Sequence, residues 1–287
     1  MVTAVQARDG YDLFKAKFPG ALTRQVPHYY AIAASDSLTT AEEFTRHCEK
    51  LGLRATPRYE SMFVPGMVEE YFEADEGFYD AFLLRQACRK MLQEAGVLVL
   101  TRWRAAKLAA REHDITVVTA YAELNETLRS LNLPPVTLQY ETCEVAVIRA
   151  PTLVRRSVVF MDGPFMSFAP YAPGLHLLYD VEHTVHRRTI GTSDIAPAPL
   201  RTNFPRMLSS LQRFTGVLPD ARLVESLCAT RVVLPDVDAT DARQYQMQWT
   251  DPRVLAVLGG KVSASVSAAR EVAAEVAAKL EVPCPAR

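Results

Sequence analysis

The sequence predicts an α/β (mixed α+β) fold in which two lobes interleave along the chain. Three observations carry this. Val97 to Thr101 and Asp114 to Ala120 are continuous apolar runs, the first after a helix and the second before one. Such runs suit parallel strands buried on both faces. Between about 143 and 185 the chain turns β-rich, with Asp162-Gly163-Pro164 and Ala172-Pro173-Gly174 as turns, which suits an antiparallel sheet. The end returns to α/β, with Val254 to Leu258 leading through Gly259-Gly260-Lys261 into a long helix. No repeat, low-complexity tract or long linker divides the chain. The expected division is 1–74 and 141–225 for the sheet lobe, and 75–140 and 226–287 for the α/β lobe.

Taken in order, the first helix is expected over Tyr11 to Phe18, ended by Pro19-Gly20. His28 to Ala33 reads as a strand from its aromatic and β-branched content. Thr39-Thr40-Ala41-Glu42 suggests a capping box for a helix to about Leu51, with Gly52 as its stop. Tyr59 to Val64 and Val68 to Phe72 read as short strands. Asp80 caps a helix to Ala95, with Leu83, Leu84, Ala87, Cys88, Met91 and Leu92 at helical spacing and Gly96 behind it. A helix near Asn125 to Leu131 follows the second apolar run. Cys143 to Arg149, Ser157 to Met161 and Leu175 to Val185 are the middle strands. Asn203 to Thr215 is a helix with Met207, Leu208, Leu211 and Phe214 on one face. Val262 to Leu280 is the last helix, with Val262, Val266, Ala269, Ala273, Val276 and Leu280 along one stripe.

Composition removes several functions. Of the 287 residues, 49% are hydrophobic and 23% charged, with a formal net charge of −1. That is ordinary for a globular protein. The most basic clusters are pairs, Arg155-Arg156 and Arg187-Arg188, too little for non-specific nucleic-acid or anionic-membrane binding. No run approaches the roughly 20 apolar residues that span a bilayer, and the first ten residues carry no apolar export signal. The five cysteines are scattered and form no C-x-x-C, which fits a reducing cytoplasm and plain core thiols.

The strand–Gly–Gly–Lys–helix junction is the most informative chemical feature. Glycines let a ligand approach the backbone, and a helix N-terminus offers unpaired N–H groups and partial positive charge. A phosphate, or a ring edge that accumulates negative charge, suits such a place; so does a tight turn that merely packs a helix on a sheet. No G-x-G occurs in the chain, so neither a G-x-G-x-x-G fingerprint nor a G-x-x-x-x-G-K-[ST] loop is encoded. His176, His183 and His186 cluster, but alternation along a strand puts His183 opposite the other two, and no metal is expected. His183 then shares a face with Tyr179, toward a possible cavity. Asp236, Asp238 and Asp241 lack the glycine and distal Glu of a calcium loop. No G-x-S-x-G marks a serine nucleophile.

The stretch DPRVLAVLGGKVSASVSAAREVAAEV resembles the closing flavin-contacting segment of FAD-dependent oxidoreductases of the D-amino-acid oxidase-like superfamily, which includes glycine oxidase and glycerol-3-phosphate dehydrogenases. FYDAFLLRQACRKMLQEAGV, DITVVTAYAELNETL and SVVFMDGPFMSFAPYAPGLHLLYDVEHTVH resemble further blocks of that family, in the same order. The resemblance implies FAD and hydride transfer from a small amino-acid-like or hydroxy-acid-like substrate. It puts Gly259, Gly260, Lys261 and Val262 on the pyrimidine side of the flavin. Arg231 and Arg243 become candidates for an anionic substrate group, equally readable as surface ion pairs, and Tyr179 and His183 become further pocket candidates. Family members also begin with a βαβ unit carrying G-x-G-x-x-G, which is missing here, so the FAD-binding lobe is read as truncated. Three explanations stand: an upstream start, a separate chain that supplies the unit, or loss of FAD. The last makes the alternative a cofactor-free binding or subunit protein.

Overall fold

The computed structural model describes residues 2–23, 26–59, 62–103, 112–151, 153, 156–192, 201–216, 220–236 and 243–283. Arg155, Asp238, Asp241 and Cys284 lie outside the described residues.

The elements begin with α1 (Val2–Lys17), β1 (Leu22–Thr23), β2 (His28–Ala33), α2 (Ala41–Leu51), β3 (Ala55–Arg58), β4 (Val68–Ala74), β5 (Phe78–Tyr79) and α3 (Ala81–Glu94). Then come β6 (Thr116–Val118), α4 (Leu124–Ser130), β7 (Leu138–Arg149), β8 (Ser157–Met161), β9 (Met166–Ala172), β10 (Leu175–Asp180) and β11 (Val185–Gly191). The chain closes with α5 (Phe204–Phe214), β12 (Arg222–Val233), β13 (Gln246–Asp251), β14 (Val254–Leu258) and α6 (Ser265–Lys279). The fold is mixed α/β, as the sequence predicts.

Local chemistry explains the well-placed elements. Thr40 Oγ1 accepts from the Glu43 N–H while the Glu43 carboxylate accepts from the Thr40 N–H, and Gly52 closes α2 in the left-handed region at φ 65°. Asp80 accepts from the N–H groups of Phe82 and Leu83 to open α3.

Nine strands form one sheet in the order β11-β7-β10-β9-β8-β2-β4-β3, with β12 also on β7. Residues 138–143 of β7 pair with β11 and 146–149 with β10, while β12 pairs along 139–149 on the other edge. Alternation divides β7 in two. Ala146 and Ile148 face the core beneath α5, with Phe168, Leu178, Met207, Leu211 and Phe214. Glu141, Cys143, Val145 and Val147 point to the opposite face. A second, three-stranded sheet runs β13-β14-β6, with β14 and β6 parallel.

The structure corrects several expectations. The first helix starts nine residues earlier than its periodicity suggests, because Gly10 is a packing glycine. A Cβ there would lie 2.6 Å from the Ser263 carbonyl oxygen, so α1 presses directly on the 262–264 turn. The strand expected at 59–64 lies instead at Ala55–Arg58, an outer strand that tolerates Pro57. The strand expected over 175–185 is a hairpin, broken by a turn at 181–184 in which the Asp180 carboxylate accepts from the Glu182 and His183 N–H groups. The alternation argument for His183 therefore fails. Val97 to Thr101 forms no strand, and Val97 to Leu100 are exposed. The stripes of α3 and of the last helix bury little; among described residues α3 buries none and α6 only Ala277.

His176 is buried in the sheet with neither ring nitrogen hydrogen-bonded. Burial lowers its pKa, so it stays neutral in the fold. The unfolded chain takes up that proton below about pH 6.5, so stability falls as pH drops through this range toward the lowered folded value. His176→Leu is expected to raise the melting temperature and flatten its decline between pH 7 and 5, as scanning calorimetry across that range would show.

Candidate functional site

The parallel strands β14 and β6 end at a common crevice, the usual ligand position in α/β sheets. A cavity of about 380 Å³ opens there, lined by Thr119, Tyr121, Tyr245, Gly259, Lys261 and the first turns of α6. That volume lies within the ~300–1,000 Å³ of small-molecule sites. The two glycines differ. A Cβ on Gly259 would meet nothing within 4 Å, so this residue borders open space. A Cβ on Gly260 would lie 2.5 Å from the Arg243 carbonyl oxygen and 2.8 Å from the Tyr245 nitrogen. Gly260 thus serves the chain's own packing, and Gly259 is the one open to a ligand. Lys261 is extended and exposed, and Val262 begins the single turn before α6. The helix start has no side-chain cap and no acid in its first turn; the 262–264 turn takes the Ser265 N–H on the Val262 carbonyl, and no first-turn carboxylate offsets the positive pole.

Tyr245 donates to Glu271 on α6. Burial and this bond push its hydroxyl up to about 12, so it stays protonated. Tyr121 connects the cavity to the large sheet, because its hydroxyl accepts from the Val232 N–H at 3.2 Å.

Beside Val232, on the face opposite α5, stands a charged cluster. Glu141 is 1% exposed and accepts from Arg231 Nε at 2.5 Å, Gln139 Nε2 at 2.7 Å and Arg188 Nε at 3.2 Å. Arg231 Nη1 donates to the Tyr179 hydroxyl at 3.1 Å. Burial opposes the Arg231 charge, but Tyr179 and Glu141 overcome it and its pKa is raised. Burial also pushes the Cys143 thiol up, against the pull of both Arg231 and Arg243. Arg231 and Tyr179 therefore meet at Glu141, while Arg243 reaches this group only as a through-space charge felt at Cys143.

Sequence reasoning missed Glu141 and Arg188. Period-two alternation places Glu141 opposite the core face, but its pairing with β12 is set by contacts some 90 residues away. His183 is elsewhere: its carbonyl accepts from Asn203 Nδ2 at 2.9 Å, and no hydrogen bond or ion pair among the described residues links it to Arg231 or Tyr179. No group of three or more metal-ligating side chains occurs among the described residues, and none of their helices is long and apolar enough to cross a membrane.

The chain shares its fold, at low sequence identity, with solved structures of several oxidases and dehydrogenases. It is similar to L-proline dehydrogenase from P. horikoshii, with a TM-score of 0.71 and 14% identity over 98% of this chain and 80% of that one. Glycine oxidase from Geobacillus kaustophilus gives 0.61 and 14% over 93% and 77%. The glycerol-3-phosphate dehydrogenase of Bacillus halodurans, solved in complex with FAD, gives 0.61 and 15% over 97% and 56%. No family model and no curated protein matches the sequence.

Proposed function

We propose that the chain is the flavin- and substrate-facing part of an FAD-dependent oxidoreductase acting on a small amino-acid-like or hydroxy-acid-like anion. The observation that carries this reading is the juxtaposition of an open, uncapped helix-start cavity at Gly259 with an arginine cluster on the adjoining sheet. The residues present fit the flavin end of FAD: Gly259 leaves room for a planar ring, and the α6 pole suits an edge that becomes negative. FAD, when bound, supplies the hydride acceptor. Gly259, Lys261 and Val262 border its pyrimidine side, while Gly260 holds the turn in place. Arg231 and Arg243 hold the substrate's anionic group, with Tyr179 and Glu141 fixing the Arg231 fork. In this proposal, 75–140 and 226–287 form the flavin-side lobe and 1–74 and 141–225 the substrate lobe, with β12 crossing the 225/226 boundary to join them.

The test is an absorption spectrum after FAD addition and gel filtration, with the chain in the assembly it forms in its own cells. Retained bands near roughly 370 and 450 nm that bleach with an amino or hydroxy acid are expected. Arg231→Lys keeps the charge but loses the fork, and is expected to raise the half-saturating substrate concentration about tenfold or more. An unchanged value would remove Arg231 from the substrate site. A second reading, a cofactor-free binding or subunit protein, draws on the exposed apolar segment at 97–100; it predicts a colourless assembly.

A further inference from the structure

We propose that the outer edge of β12 is a homodimer interface, on which a second copy of this chain pairs its own β12 antiparallel about a two-fold axis at Cys228. The inference goes beyond the proposed function and does not depend on flavin.

The edge is long and open. β12 pairs with β7 on one side and with no strand on the other among the described residues. The Val232 N–H donates to the Tyr121 hydroxyl, so it points away from β7. Alternation turns the N–H and C=O groups of Ser226, Cys228 and Thr230 to the same outer side, where no strand meets them among the described residues. Val224 is 48% and Leu227 37% exposed, and Cys228 and Ala229 are exposed as well. Proteins guard such edges with Lys, Pro or bulges, because an unguarded one pairs with another chain. Arg222–Val233 contains neither Lys nor Pro, and its register shift lies near its start, between Leu223 and Glu225.

Two independent features choose the occupant and the register. The open run is limited by the shift before Glu225 and by Tyr121 at Val232, which leaves Glu225 to Arg231, and the middle of that run is Cys228. A two-fold axis there sets Ser226 opposite Thr230 and Cys228 opposite Cys228, so outward groups meet outward groups. The same axis sets Glu225 opposite Arg231 of the second copy. Opposite charges directly across a strand pair stabilise it. Glu225 is exposed, and Arg231 and Arg188 share the single carboxylate of Glu141, so Glu225 meets a patch of net positive charge. Moving the axis by one residue sets Glu225 opposite Ala229 or Val233 and loses this pair. Leu227 then packs against Ala229 of the other copy, which covers apolar surface exposed in one chain. This edge is therefore complementary to itself, as an isologous interface requires. A bilayer satisfies none of its N–H and C=O groups.

The test is light scattering after gel filtration of the full chain over a range of concentrations, together with cross-linking by a short bismaleimide. A dimer of twice 31.9 kDa is expected, with a cross-link that Cys228→Ser removes. Glu225→Lys, at an exposed position, sets like charges across the axis and is expected to weaken the dimer about tenfold or more while leaving the far-UV circular dichroism unchanged. Thr230→Pro removes an outward N–H, a loss that an edge strand tolerates, and is expected to act in the same direction. A monomer at every concentration, a dimer indifferent to both variants, a cross-link that persists in Cys228→Ser, or a different chain in place of the second copy overturns the proposal. Mass and cross-link are read without reference to colour. A colourless dimer therefore overturns the flavin assignment and keeps the interface; a yellow monomer does the reverse.

Discussion

Gly259→Val is expected to leave the thermal transition in place and weaken flavin retention at least tenfold, whereas Gly260→Val lowers the transition whether flavin is present or not. The two residues are adjacent and chemically identical, so only their surroundings separate them. A side chain at 259 enters the cavity and meets no protein atom within 4 Å of its Cβ. A side chain at 260 is driven into the backbone of Arg243 and Tyr245, which cannot move aside as a flexible side chain does. Overpacking of this kind costs about 1–3 kcal/mol, sometimes more. Calorimetry and the 450 nm band (roughly where oxidised flavin absorbs) measure the two effects separately. If Gly259→Val retains flavin as tightly as the parent, the ring does not sit at this turn. The contrast also shows why Gly260 alone is a poor probe: its loss damages the fold first.

Glu144→Ala is expected to be the most destabilising single change on the α5 side of the sheet, by roughly 3–5 kcal/mol. Glu144 is fully buried. It accepts from the hydroxyls of Thr202 and Ser226, from the Asn203 N–H at 2.8 Å and from His186 Nε2 at 2.7 Å. It thereby joins β7, β11 and β12 to the start of α5. Removing the carboxylate strands all four donors in a dry site, and an unsatisfied buried donor costs more than a bond contributes. Burial alone raises the Glu144 pKa, but these four bonds outweigh it and the value is lowered. The stability they add is present above the unfolded value near about 4.3 and is lost as pH falls through the lower folded value. Urea unfolding at pH 7 and pH 3 checks both statements: the parent loses stability between them, and the variant loses less.

Where a residue's structural role is set by its near neighbours, it was legible in the sequence. The Asp80 cap, Gly52 and the strands His28–Ala33, Ser157–Met161 and Val254–Leu258 all depend on short-range chemistry or unbroken apolar content, and the capping box falls one residue later than its pattern suggests, on Thr40 and Glu43 in place of Thr39 and Glu42. What depends on distant pairing was not. Arg222–Val233 carries little apolar alternation because half of its residues are exposed, and its place in the sheet is set by edge pairing with the distant β7. Val97 to Leu100 departs from its pattern in the opposite sense: its sequence suits a buried strand, yet these residues are exposed and pair with no strand among the described residues. The family resemblance singles out Arg231, Arg243 and Tyr179 as substrate-side candidates. Glu141, where Arg231 and Tyr179 meet, was hidden because a lone Glu in a strand gives no sign of two arginines arriving from β11 and β12.

The contact of Gly10 with Ser263 and Ala264 ties the cavity rim to a helix some 250 residues earlier in the chain. Closing a loop of that length costs entropy that local contacts do not. The rim is therefore finished by tertiary docking of α1, not by its own turn. Whatever loosens α1 loosens the floor beneath Val262, so affinity at the rim and local order of the first helix rise and fall together.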